Sequence, residues 1–174
     1  LIKTFGSAVY GINATTITVE VNCDPGSRFY LVGLPDNAIK ESQQRLLAAF
    51  KNVGYHMPGR KIVVNMAPAD IRKEGSAYDL TIAMGILGAS EQIPAEGISD
   101  YIIMGELSLD GNLLPIKGAL PIAIQAAKEG FKGFFLPKEN AREAAIVNEL
   151  EVYGIENIKE VIDFFKQQSV PERV

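Results

Sequence analysis

The chain has few of the residues on which disulfide, histidine and metal chemistry depend. Its 174 residues include one cysteine, Cys23, and one histidine, His56. A single cysteine excludes an internal disulfide and any multi-cysteine metal site, so Cys23 is expected to be a buried thiol on a strand. No serine or cysteine motif accompanies His56, which indicates a loop residue rather than a general base. Asp70, Glu74 and Asp79 lack the spacing of a loop that converges oxygens on a hard cation, so we predict no metal site.

Three longer features are also missing. No apolar run reaches the length of a membrane span, and no basic-then-apolar segment opens the chain, so we predict a cytoplasmic protein without membrane contact. The Gly-x-x-x-x-Gly-Lys-Ser/Thr loop that cradles nucleotide phosphates does not occur. With 17 basic and 21 acidic side chains, the net charge of −4 argues against a strongly basic nucleic-acid module, although not against a local basic patch.

What the chain does contain is enough apolar sequence for one globular core, since 47% of its residues are hydrophobic. We expect residues 1–167 to form a single domain. Residues 168–174 are polar and interrupted by Pro171, so we expect them to begin a linker. Because the chain starts at Leu1 and runs directly into strand pattern, we expect a piece of a longer polypeptide.

Hydrophobic patterning predicts strands alternating with helices. The predicted strands are residues 2–10, 14–22, 28–32, 61–66, 101–108, 112–115, 133–136 and 151–153. The predicted helices are residues 35–51, 77–89, 118–129, 139–147 and 156–167. Helices separated by strands, with an antiparallel hairpin first, indicate an α/β or α+β two-layer sandwich, and α+β is the class that we predict.

The helix over residues 35–51 has a clear division into two faces. Its predicted core face consists of Ile39, Leu46, Ala49, Phe50 and Val53. On the other face, i,i+4 spacing pairs Lys40 with Gln44 and Glu41 with Arg45, which we expect to lie in solvent.

The helix over residues 77–89 is apolar on nearly every side, which is typical of a buried helix. Its first turn therefore lies deep in the domain, where free backbone N–H groups and the positive end of the helix dipole favour nucleophiles and anions. Ser76 is the residue to judge there. Because Ser-x-x-Asp before an apolar run matches a capping box, we expect Ser76 to be the helix cap and Asp79 its partner.

The order of segments from Arg72 to Asn140 resembles the proteolytic domain of Lon, in which a serine opens the buried helix and a general-base lysine opens a later one. Laid along this chain, the serine position falls on Ala77 and the lysine position on Leu120, so both groups are absent. Ser76 and Lys117 lie one and three residues away, but so small a shift turns a side chain to another face. The resemblance implies lost protease chemistry and the ribosomal protein S-five second-domain-like fold.

A closer resemblance is to the amino-terminal domain of the YifB/ComM family, which are magnesium-chelatase-like AAA+ proteins. The matching motifs are Val32-Gly33-Leu34-Pro35-Asp36, Lys40-Glu41-Ser42, Val64-Asn65-Met66-Ala67-Pro68-Ala69-Asp70, Arg72-Lys73-Glu74-Gly75-Ser76-Ala77-Tyr78-Asp79-Leu80 and Gly105-Glu106-Leu107-Ser108-Leu109-Asp110-Gly111. The family's AAA+ motor is not part of this chain. The resemblance therefore implies no cofactor in this fragment, with ATP and Mg expected for the absent motor domain.

Two basic pairs, Arg60-Lys61 and Arg72-Lys73, flank one predicted strand–turn–helix unit and are expected to lie near each other. They are a candidate contact surface for nucleic-acid phosphate or a neighbouring subunit, and the plain alternative is a solvated face. ComM-type proteins are associated with branch-migrating DNA helicase activity in natural transformation, so DNA is an expected partner of the assembled protein.

The sequence thus favours a non-catalytic accessory domain of a YifB/ComM-type AAA+ ATPase, which serves ring assembly, regulation or DNA engagement. Its expected partners are its own AAA+ domain and neighbouring subunits of a ring. Two alternatives remain. One is a Lon-like serine peptidase that uses Ser76 and Lys117 in a shifted register, and the other is a stand-alone nucleic-acid-binding module.

Overall fold

The computed structural model describes residues 1–73 and 75–174. The strands in these residues are β1 Ile2–Tyr10, β2 Asn13–Asp24, β3 Phe29–Val32, β4 Lys61–Ala67, β5 Tyr101–Ile103, β6 Glu106–Leu107, β7 Leu113–Leu114, β8 Gly133–Pro137 and β9 Glu151–Ile155. The α-helices are α1 Asp36–Asn52, α2 Asp79–Ala89, α3 Ala119–Lys128, α4 Lys138–Ala144 and α5 Ile158–Phe165. A 3-10 helix over Gly75–Tyr78 leads directly into α2, and a second one covers Ile98–Asp100.

Seven of the strands form one mixed sheet in the order β3-β4-β2-β1-β5-β8-β9. β1 pairs antiparallel with β2, and β2 with β4, whereas the other four neighbouring pairs are parallel. The mixed α/β character expected from the sequence is therefore confirmed. The predicted strand over residues 101–108 was wrong, because β5 ends at Ile103 and β6 pairs with β7 in a separate two-stranded ladder.

Helices cover both faces of the large sheet. On β1, Thr4 Oγ1 donates to the carbonyl of Thr81 in α2 at 2.9 Å, while the ring of Phe5 packs edge-on against Phe131, which follows α3. Neighbouring residues of a strand point to opposite faces, so α2 and α3 lie on opposite sides of the sheet. The predicted two-layer arrangement was wrong, because local patterning does not reveal the face to which a connection returns.

The buried helix is α2, as the sequence predicted, although it begins at Asp79 rather than 77. All ten residues from Asp79 to Gly88 are buried. Gly85 permits close packing on the sheet, since a Cβ added there would lie 2.7 Å from Cγ2 of Val21. Burial on all sides fixes the start of α2 within the domain.

α1 packs beside α2 through a stripe that includes Leu46, Ala49 and Phe50, as predicted. Ile39 and Val53 are only partly buried against the core. The placement of Arg45 in solvent was wrong: its side chain is 19% exposed and points towards α2.

Candidate functional site

A cleft of about 620 Å³ opens beside the carboxyl end of β1, and we call it the β1 cleft. Its lining comprises Ser7–Gly11 of β1 and the following turn, Ser76–Tyr78 before α2, Pro115–Gly118 before α3, and Arg72, Met104 and Glu106. Its volume lies within the range of pockets that hold small molecules or short peptide segments. The cleft is the place where the candidate nucleophile and base from the sequence come together.

Both members of the shifted dyad lie in the cleft. Ser76, which is partly buried, and Lys117, which is exposed, both line it, but no hydrogen bond joins their side chains in the described part of the chain. A serine nucleophile requires its base within about 2.6–3.2 Å. Of the two positions that correspond to the Lon dyad, Ala77 lines the cleft, whereas Leu120 lies on α3 outside its lining.

The predicted helix cap at Ser76 was wrong. The N-cap position of α2 is Tyr78, and no side chain makes a capping hydrogen bond there. Because Gly75–Tyr78 already forms a 3-10 turn, the chain reaches α2 without the extended cap residue that a capping box requires. Ser76 therefore faces the cleft, and its hydroxyl contributes no capping bond to α2.

Asp79, the predicted partner of that cap, has a different role. Its carboxylate is fully buried and accepts bonds from Arg45 Nε at 2.6 Å and Nη2 at 3.0 Å. Ser42 Oγ and the Leu107 amide complete its shell, each at 3.1 Å. Burial raises the pKa of Asp79 above its usual range, although the Arg45 guanidinium, the Leu107 amide and the Ser42 hydroxyl all act to lower it.

This buried Asp79 cluster, formed by Ser42, Arg45, Asp79 and the Leu107 amide, was missed by the sequence reasoning. A signal was present, since Ser42, Arg45, Leu46 and Ala49 follow the i, i+3, i+4, i+7 spacing of the buried stripe on α1. A charged residue on such a stripe requires a buried partner of opposite charge.

Backbone bonds attach the start of α2 to Gly105, the residue before β6. The amide of Gly105 donates to the carbonyl of Ala77 at 2.9 Å, and that of Leu80 donates to the carbonyl of Gly105 at 3.0 Å. With the bond from Leu107 to Asp79, these contacts hold Ser76–Tyr78 and Glu106 as one wall of the cleft.

The four residues of the predicted basic surface do not form one patch. Arg60 and Lys61 are exposed at the start of β4, whereas Arg72 and Lys73 follow its far end, about 20 Å away at strand rise. Lys73 is only 6% exposed, and its Nζ donates to the carbonyls of Pro68 at 2.8 Å and Ile71 at 2.7 Å. Burial lowers the pKa of Lys73. The prediction of a surface role for Lys73 was therefore wrong.

The acidic residues weighed as metal ligands and the single histidine, His56, do not form a site together in the described residues. In the residues that the structure describes, no three His, Cys, Asp or Glu side chains are grouped so that they could hold a metal ion. Glu74, which was weighed with Asp70 as an oxygen ligand, lies outside the described residues. Hydrogen bonds of the His56 backbone with the Gln92 side chain fix the loop around it. No helix of the described chain has both the length and the apolar character of a membrane span.

Comparison with known proteins places these features in a family. Residues 19–140 match the family model described as subunit ChlI of Mg-chelatase. The competence protein ComM of Haemophilus influenzae is 38% identical over 165 residues, which are 94% of this chain and 32% of that protein. The uncharacterised protein YifB of Escherichia coli is 39% identical over 95% of this chain and 33% of its own length. The Lon protease of Mycoplasma mobile is 28% identical over 96% of the chain and 20% of that protein.

Proposed function

The chain belongs to the family of the ChlI subunit of Mg-chelatase, and we propose that it is a non-catalytic amino-terminal accessory domain of a ComM/YifB-type AAA+ ATPase. It spans about a third of the length of the ComM and YifB relatives that it matches. We assign it to assembly, regulation or DNA engagement of a ring in the cytoplasm, and its partners are its own AAA+ domain and neighbouring subunits. ATP and Mg belong to the motor domain. The finer fold assignment that we propose is the ribosomal protein S-five second-domain-like fold.

The composition of the β1 cleft carries this proposal. The related Lon proteases cover most of the chain, and the resemblance aligns their serine and lysine with Ala77 and Leu120, which have no nucleophile and no base. A methyl group at position 77 cannot attack a carbonyl, while the surrounding wall of hydrogen bonds is intact. The cleft therefore has the shape of a site without its reacting groups.

Two measurements on the purified chain test this proposal. Calorimetry should detect no ATP binding, since the chain lacks a phosphate-cradling loop with its lysine. A fluorophosphonate probe should leave Ser76 unlabelled. Micromolar ATP binding, or stoichiometric labelling of Ser76, would overturn the assignment as a non-catalytic accessory domain.

A peptidase that uses Ser76 and Lys117 is the second candidate, because both side chains line one cleft. Movement of Lys117, whose side chain is exposed, would be needed to bring its amine to the Ser76 hydroxyl. Labelling that disappears in both Ser76→Ala and Lys117→Ala would establish this activity. Labelling that survives Lys117→Ala would indicate a reactive serine without this base.

DNA engagement is tested by fluorescence anisotropy with forked and single-stranded DNA. The exposed cations Arg60 and Lys61 lie far from Arg72, so few phosphates are neutralised together. The chain alone should therefore bind no tighter than roughly 100 µM at physiological salt. Sub-micromolar binding that is lost on charge reversal of these three residues would show a DNA-binding module in its own right. Lys73→Met is the matched control, because this lysine is only 6% exposed and its amine donates to backbone carbonyls.

A further inference from the structure

One segment of β1 has a strand edge that no other strand covers. β1 pairs with β2 along its whole length, from Ile2 to Tyr10, whereas its pairing with β5 is limited to Phe5 and Ile102. Since β5 ends at Ile103, the β5 side of β1 beyond Phe5 borders the β1 cleft instead of a neighbouring strand.

Hydrogen bonding shows which backbone groups face the cleft. The Ser7 amide donates to Met104 Sδ and the Ser7 carbonyl accepts from the Tyr78 hydroxyl, each at 3.3 Å, so both groups of Ser7 point away from β2. In an antiparallel pair this direction alternates from residue to residue. The N–H and C=O of Val9 therefore point the same way, into the cleft, where no strand of the described chain pairs with them.

From this edge we infer that the β1 cleft binds an extended, acidic segment of a polypeptide, which adds as a strand beside β1 at Val9. A donor and an acceptor on one residue of an extended strand match the acceptor and donor of another extended chain, which is the basis of strand addition. Within β1 the cleft follows the strand from Ser7 to its last residue, Tyr10, a path of about 10 Å, which accommodates about three residues at strand rise.

Charge specifies the kind of segment. The cleft is lined by two exposed cations, Arg72 and Lys117, and by one half-buried carboxylate, Glu106, which is itself attracted to Arg45. The two chain segments that carry these cations contact opposite faces of β1. The Arg72 carbonyl accepts from the Tyr10 hydroxyl at 2.6 Å, whereas Lys117 precedes Gly118, which packs on Val9.

Because Val9 and Tyr10 point to opposite faces of β1, side chains on consecutive residues of an added strand also point to opposite sides. Two consecutive acidic residues would therefore each approach one cation. The inference rests on the proposed lack of catalysis, since a segment that is held and not cut requires a cleft without a working dyad.

Nuclear magnetic resonance of the ¹⁵N-labelled chain tests the proposal. The probe is the peptide Val-Thr-Glu-Glu-Thr-Val with blocked ends, and the expected result is a saturable shift of the Val9 amide with slowed hydrogen exchange there. Two control peptides carry Lys-Lys in place of Glu-Glu, or N-methyl groups on alternate backbone nitrogens. Both should bind at least roughly tenfold more weakly, because one loses the charge match and the other the ladder bonds.

Variants of the chain test the contribution of the two cations and the location of the peptide in the cleft. Arg72→Glu with Lys117→Glu should weaken binding roughly tenfold, whereas Arg60→Glu with Lys159→Glu, at exposed positions outside the cleft, should leave it unchanged. Ser76→Trp should block the cleft and Ser76→Ala should not. Absence of a Val9 shift at millimolar peptide, or equal binding of all three peptides, would overturn the inference. Mass spectrometry of the peptide is the separate readout, because cleavage would overturn the proposed lack of catalysis and not the binding mode.

Discussion

Replacing Arg45 by methionine tests the buried ion pair between Arg45 and Asp79. The change keeps most of the apolar length of the side chain and removes the guanidinium that donates twice to Asp79. Asp79 then keeps only the bonds from Ser42 and from the Leu107 amide, in a site with no exposure to solvent. Removing one member of a buried ion pair costs about 3–5 kcal/mol, against about 0–1 kcal/mol for a surface pair. Because Arg45 is partly exposed, we expect Arg45→Met to lower the free energy of unfolding by about 3 kcal/mol, the low end of that range.

Urea unfolding followed by circular dichroism at pH 7 measures this loss as a lower midpoint at unchanged slope. Arg45→Met combined with Asp79→Leu should recover much of the stability, since two apolar side chains leave no unpaired charge. Lys138→Met provides the matched control at the exposed pair with Glu156 and should barely change the midpoint. A loss below about 1 kcal/mol in Arg45→Met, or additive effects in the double variant, would refute the structural role of the pair.

The pH dependence has a definite sign. Burial raises the folded-state pKa of Asp79 above its unfolded value, so the folded chain binds more protons than the unfolded chain. The stability that this group contributes is fully present below the unfolded pKa. It is lost as the pH rises through the folded pKa. Removing Arg45 raises that pKa further. The deficit of Arg45→Met should therefore shrink on acidification from pH 7 to pH 5. A deficit that is constant or grows over this interval would contradict the assignment.

Three further changes test the packing and the site. Gly85→Ala should lower the free energy of unfolding by about 1–3 kcal/mol, because the new methyl group would lie 2.7 Å from Cγ2 of Val21. Gly59→Ala, whose new methyl group meets no atom within 4 Å, should be nearly neutral. Equal urea midpoints for the two variants would contradict this packing. Ser76→Ala should change stability by less than about 0.5 kcal/mol, and a loss near 1 kcal/mol would restore the helix-cap interpretation. Lys73 should acylate much more slowly than the exposed lysines in a mass-spectrometric labelling time course, and equal rates would contradict its burial.

Sequence patterning predicted the elements well where their signals are local. The apolar run that became α2 and the two-face pattern of α1 are examples, since their periodicities follow directly from helix geometry. Patterning failed where the partner is distant along the chain. Arg45 lies 34 residues from Asp79, so Glu41 at i−4 was the obvious local partner, and Asp79 three residues after Ser76 resembled a cap. The faces occupied by α2 and α3 depend on crossovers that no local window contains.

The Asp79 cluster also explains how the β1 cleft keeps its form without bonds from Ser76 or Lys117. Asp79 connects α1, the start of α2 and β6 through side-chain bonds, and Ala77 and Leu80 add backbone bonds to Gly105 on either side of it. The wall of the cleft is thus held by buried polar bonds that involve neither Ser76 nor Lys117. A change at Ser76 alters one partly buried side chain, whereas loss of Asp79 would leave Arg45 without its partner and the Leu107 amide unbonded. Walls that are held in this way do not depend on the reacting groups of a protease, and the N–H and C=O of Val9 face the cleft without a partner strand in the described chain.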